Sequence, residues 1–128
     1  MTIKKEEVVS LGIVLKTHPY KESDSLVTVY FKDYGKMTLI ARGVKKLKSK
    51  NASACQSLTL SEFTFIPRNG LSTMIKASSV DFYRYIKENL ELEAYASYFM
   101  EFVLKNEEDN QPDLEIFDTL KKSLDAQN

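Results

Sequence analysis

The residues that build covalent or metal-held scaffolds are nearly missing: the 128-residue chain has one cysteine, Cys55, and one histidine, His18. A lone cysteine cannot close an intramolecular disulfide, which fits a reducing cytoplasm. A structural zinc site usually takes four Cys or His ligands, so no zinc is expected within these residues. Glycine is sparse too, at four residues, and no Gly-rich loop that could cradle phosphates is present. Long apolar runs are also missing. The start, MTIKKEEVVS, lacks the apolar stretch of a signal peptide, and nothing approaches the roughly 20 apolar residues of a spanning helix. The expectation is a soluble, intracellular protein with no internal repeat or low-complexity tract.

What is present is a charge asymmetry that the formal net charge of zero conceals. Residues 1–80 hold 13 Lys+Arg against 6 Asp+Glu, whereas residues 81–128 hold 5 against 12. The chain therefore reads as two electrostatically distinct units. Five cations, Arg42, Lys45, Lys46, Lys48 and Lys50, fall within nine positions directly after a strand-like run. Such a concentration is the sequence signature of a phosphate-binding surface.

The first unit reads as β structure. Val8 to Thr17 is rich in Val, Ile and Leu, carries Gly12 where a strand can bulge or bend, and is expected to stop at His18-Pro19. Ser25 to Phe31 and Met37 to Ala41 flank a short Gly-containing connection and predict a hairpin. Leu58 to Ile66 alternates, ends in Pro67-Arg68-Asn69-Gly70, and Ser72 to Val80 returns. Five strands at this spacing, with no helices long enough for parallel crossovers, predict a small antiparallel barrel.

The second unit reads as helix. Leu90 to Lys105 contains no Gly or Pro, and Leu92, Tyr95, Ala96, Phe99, Phe102 and Val103 recur at helical spacing. Ala94, Tyr98, Met100 and Leu104 lie off that stripe, so the helix is apolar almost all round and needs cover on several sides. An acidic loop, Asn106 to Pro112, leads to a second amphipathic stretch, Asp113 to Leu124. That stretch alone is thin cover. Either the chain is part of a longer protein, or the helical unit docks on the barrel or on another molecule.

The stretch GIVLKTHPYKESDSLVTVYFKDYGKMTLIARGVKKLKSK, with QSLTLSEFTF and LELEAYASYFMEFV further on, resembles the N-terminal portion of the bacterial RecO family of recombination mediators. The most specific part is Gly12 to Lys16, Tyr20, Glu22-Ser23-Asp24, Gly35-Lys36 and Ala41-Arg42-Gly43 at these separations. The resemblance implies an OB-fold barrel over residues 1–80, followed over 81–128 by the incomplete beginning of a helical domain. It implies binding of single- and double-stranded DNA, annealing of complementary strands and help in loading a recombinase. Its implied partners are single-stranded-DNA-binding protein and the recombination protein RecR, and its setting is the bacterial cytoplasm and nucleoid. Members of the family usually continue for about another hundred residues, where the zinc region lies, so no zinc ligand is carried onto this chain.

The basic segment has a physical task in that reading. Each cation that neutralises a phosphate releases condensed counterions. A segment leaving the third strand of an OB barrel can border its groove, and Lys36, Arg68 and Lys76 are candidates to extend the track. Aromatics supply the second ingredient, since a base stacked on a ring is worth ~1–3 kcal/mol whatever its identity. Tyr34, beside Gly35-Lys36, is the best stacking candidate. Tyr20 is equally suited to packing, and Phe31 is expected to pack.

Catalysis finds no support. Glu22 and Asp24 lack the further ligands a two-metal nuclease needs, and with Ser23 they are expected to shape a turn. His18 has no adjacent nucleophile by sequence. The competing reading is a non-enzymatic adaptor, in which the basic loop meets an acidic protein and no nucleic acid. The apolar helix with Tyr95, Tyr98, Phe99 and Phe102 offers a further protein-binding surface.

Overall fold

A computed structural model describes residues 6–44 and 50–128. Five strands form a closed barrel in the order β1-β2-β3-β5-β4: β1 (Val8–Tyr20), β2 (Asp24–Phe31), β3 (Gly35–Ala41), β4 (Leu60–Ile66) and β5 (Ser72–Asp81). A short helix, α1 (Lys50–Ala54), lies between β3 and β4, and α2 (Arg84–Glu88), α3 (Leu90–Asn106) and α4 (Leu114–Gln127) follow the barrel. Four of the five pairings are antiparallel, and the barrel closes through a short parallel pair, Leu39↔Ser72 and Ile40↔Thr73. This is the OB-type barrel expected, with one parallel seam where the sequence pattern alone indicated antiparallel pairing throughout.

The hairpin shows how alternation becomes a core. The register pairs Val27 with Leu39, Val29 with Met37 and Phe31 with Gly35. All six residues are buried, and the five with side chains point into the barrel. Inside, Phe31 stacks on Phe65 at 4.6 Å between ring centroids and meets Phe63 edge-on at 5.5 Å. Such pairs add roughly 0.5–1.5 kcal/mol beyond the area they bury. Ala54 and Cys55, at and just beyond the end of α1, join the same core, where Cys55 Sγ lies 3.6 Å from Met74 Sδ. Burial pushes the Cys55 thiol up to about 12, so it stays protonated.

β1 is buried on both faces. Val14 points inward, whereas Ile13 and Leu15 point outward into a second core with Tyr30, Leu58 and Leu60. The helices complete that core with Ile86, Ala96, Met100, Val103, Phe117, Leu120 and Leu124. The helical unit thus docks on the barrel wall, one of the arrangements its apolar character requires. Double-sided burial also explains why β1 reads as a continuous apolar run and not an alternating one.

Three local expectations are corrected. β1 does not stop at His18-Pro19 but runs to Tyr20, with Pro19 opposite Ser25. Ladder pairing with β4 ends at Ile13, so among the described residues the end of β1 has no second partner strand, and a missing N–H is tolerated there. The bulge falls between Val14 and Lys16, not at Gly12. At Gly12 a Cβ would lie 2.3 Å from Val29 Cγ1, so the glycine makes room for the neighbouring strand's side chain. On α3 the residues turned to the barrel are Ala96, Met100 and Val103, and Tyr95, Phe99 and Phe102 are exposed. A helix apolar all round has no single stripe, and the docked neighbour chooses the face.

The segment after α3 is seated firmly on the β2–β3 turn. Gly35 has φ +74°, and a Cβ there would lie 2.5 Å from the Gln111 backbone carbon. Gly70, at φ +83°, has nothing within 4 Å of the same position. Both glycine-to-alanine changes incur left-handed strain of about 1–2 kcal/mol. Gly35→Ala is expected to cost roughly 1–3 kcal/mol more than Gly70→Ala, through overpacking. Equal urea midpoints for the two variants would contradict the close seating.

Candidate nucleic-acid interface

Among the described candidates, Arg42 stands at one end of β3 and Tyr34, Lys36 and Arg68 at the other. At the C-terminal end, Arg42 is exposed and Gly43 N donates to Asp24 Oδ1 at 2.8 Å. Asp24 thereby ties the start of β2 to the exit of β3, which gives the Glu22-Ser23-Asp24 and Ala41-Arg42-Gly43 motifs a common structural purpose. It fixes Gly43, the residue after Arg42. Lys45, Lys46 and Lys48 lie outside the described residues, as does the side chain of Lys50. Beside this exit stands the β1–β2 turn, where Lys21 Nζ sits 5.4 Å above the Tyr20 ring.

At the other end of β3, the β2–β3 turn and the β4–β5 loop frame a cleft of about 730 Å³. Tyr34 and Arg68, picked separately from the sequence, both line it, together with Asp33, Asn69, Asn110 and Pro112. Tyr34 is half-buried and packs edge-on against Phe65 at 5.5 Å, which holds its ring in place. Arg68 is exposed, and its Nε donates to Thr73 Oγ1 at 3.0 Å. Asn69 and Asn110 escaped the sequence reading. Asn110 reaches the cleft only because the 106–112 segment docks on the hairpin, and no local pattern announces that.

Lys36 does not extend the exposed track. Its side chain is 13 % exposed, Nζ donates to Leu104 O at 2.7 Å, and Asp109 Oδ1 lies 3.6 Å away. It serves as a cation on the C-terminal turn of α3, where carbonyls lack intrahelical donors and the helix dipole is negative. Asn110 N also donates to Lys36 O at 2.9 Å. Lys76 is exposed on β5. Phe31 packs inside the barrel as expected.

The acidic unit carries a different surface. An apolar groove of about 990 Å³ runs between α3 and α4, lined among others by Leu92, Tyr95, Tyr98, Phe99, Leu120 and Leu124. Lys87 is no rim cation here: it is half-buried, donates to Thr59 Oγ1 at 2.9 Å, and burial lowers its pKa. Among the described residues no cluster of three or more His, Cys, Asp or Glu side chains is placed to hold a metal ion. No described helix is long and apolar enough to cross a membrane.

A closed five-stranded barrel of this order, with Arg42 exposed just after its third strand and an aromatic cleft at the far end of that strand, has the architecture of an OB fold. Comparison with known proteins agrees with that class. The family described as "Recombination protein O N terminal" matches residues 5–83. A DNA repair protein RecO of Listeria monocytogenes serotype 4a is 38 % identical over 101 residues, covering 79 % of this chain and 40 % of its own length. Its counterpart in Bacillus cytotoxicus is 34 % identical over 113 residues, covering 88 % of this chain and 46 % of its own. The chain belongs to the RecO N-terminal family. It spans less than half the length of these curated relatives.

The contrast between Lys36 and Arg42 is testable. Lys36→Ala removes charge-assisted bonds from a largely buried group and is expected to destabilise the fold by about 1.5–3 kcal/mol. Arg42→Ala, on the surface, should stay within about 0.5 kcal/mol of the unaltered chain. Urea unfolding of the two variants checks this; equal stabilities would contradict the structural role of Lys36.

Proposed function

We propose that this chain is the DNA-binding portion of a recombination mediator acting in DNA repair. It binds single- and double-stranded DNA, assists the annealing of complementary strands and helps to load a recombinase. Family membership and relatives named DNA repair protein RecO support the role in repair. The observation that supports the DNA-binding part is at the exit of β3, where Asp24 holds Gly43 and Arg42 is exposed, next to the lysine-rich stretch of the sequence.

The mechanism is electrostatic. Arg42, Lys45, Lys46, Lys48 and Lys50 neutralise phosphates and release condensed counterions, which gives affinity without sequence preference. The reading assigns no catalytic step. Its setting is the bacterial cytoplasm, with single-stranded-DNA-binding protein and RecR as protein partners. The uncovered α3–α4 groove favours a second reading, the adaptor, in which protein contact is the main activity.

Fluorescence anisotropy of labelled single- and double-stranded oligonucleotides over a salt series tests the proposal. Three to five phosphate contacts predict a slope of log affinity against log salt of roughly −2 to −3.5 on single strands. Lys45→Glu/Lys46→Glu/Lys48→Glu should abolish salt-sensitive binding while circular dichroism stays unchanged. No binding by the unaltered chain at low salt would overturn the proposal in favour of the adaptor.

A further inference from the structure

We propose that the cleft framed by the β2–β3 turn, the β4–β5 loop and the 106–112 segment is a pocket for an unpaired nucleobase. The proposal deepens the DNA-binding reading and rests on it. Its chemistry follows from what lines the cleft. Tyr34 offers an aromatic ring held by Phe65. Pro112 and Pro67 add apolar surface, and Asn69 and Asn110 each bring an amide with both donors and an acceptor. Paired amide hydrogen bonds are how protein side chains read the edge of a base. At about 730 Å³ the cleft falls in the size range of small-ligand sites.

Local charge separates this cleft from the basic segment. The cleft lining carries one cation, Arg68, and one anion, Asp33, and Lys36 is consumed by Asp109 and the Leu104 carbonyl. A nearly neutral pocket with an aromatic wall suits an uncharged heterocycle, whereas the surplus of cations after Ala41 suits phosphates.

The wall from the helical unit is positioned, not incidental. Asn110 sits at φ +59°, with its backbone N–H on Lys36 O at 2.9 Å. The Gln111 backbone also lies so close to Gly35 that a Cβ there would come within 2.5 Å of it. The barrel thus presents a stacking residue while the helical unit supplies part of the base-reading edge. Arg42 and Tyr34 flank the two ends of β3, eight residue steps or about 26 Å apart along an extended strand. One strand of a few nucleotides can place phosphates at one end and an unstacked base at the other. A duplex, whose bases are stacked and paired, has no base to give.

The test is nuclear magnetic resonance of the 15N-labelled chain titrated separately with deoxyadenosine monophosphate, with inorganic phosphate and with a single-stranded oligonucleotide. The nucleotide and the oligonucleotide should both shift the side-chain amides of Asn69 and Asn110, and inorganic phosphate should leave those amides in place. In parallel, Tyr34→Leu should weaken single-strand binding roughly five- to a hundredfold, the range of one stacked base, and leave duplex binding unchanged. If the oligonucleotide binds but the two amides do not move, the base pocket is overturned and the DNA-binding reading stands. If the amides move with the nucleotide while no oligonucleotide binds, the pocket stands and the strand-binding reading falls. Should Tyr34→Leu fail to fold, the titration of the unaltered chain decides.

Discussion

The whole molecule depends on β1 having to satisfy two cores at once. Its inward residue Val14 packs among the barrel aromatics, while Ile13 and Leu15, on either side, face the helices. Gly12 stands where β1 pairs with both neighbours, opposite Phe31 of β2 and Ser61 of β4. Any side chain there would strike Val29. One strand therefore contributes to both the barrel core and the helix-docking core.

That constraint carries through to the proposed binding surface. Because α3 is pinned to the barrel through Ala96, Met100 and Val103, its C-terminal turn arrives at Lys36. The acidic segment behind it then lies against the β2–β3 turn and walls the cleft beside Tyr34. Asp24 performs the corresponding service at the other end of β3. Arg42 and Arg68 are exposed and Tyr34 is half-buried, but their supports are buried or hydrogen-bonded, which is how a loop-borne site gains a defined geometry.

Much of this was legible in the residues. Alternation from Ser25 to Phe31 and from Met37 to Ala41 indicated the hairpin, and Asp113 is the N-cap of α4, accepting from Ile116 N at 3.2 Å. The cluster after Ala41 could be found from charge alone. Contacts between distant residues could not. Lys36 looks like any exposed lysine until Leu104 and Asp109 are brought to it across the fold, and Asn110 has no signal beyond belonging to an acidic loop. The helix α1 was missed because KNASA has neither length nor an apolar stripe; it forms where Asn51 Oδ1 accepts from Ala77 N and Ser61 Oγ donates to Ala54 O. The face of α3 was misassigned because composition cannot say which side of an apolar helix meets a neighbour.

The central claim is that nucleic acid lies along β3, from the basic exit to the aromatic cleft. Hydrogen–deuterium exchange of the chain with and without a single-stranded oligonucleotide tests it most directly. The account predicts slowed exchange in the β1–β2 turn, in the residues after Ala41 and in the β4–β5 loop, with the α3–α4 groove unchanged. Protection confined to α3 and α4 would contradict it.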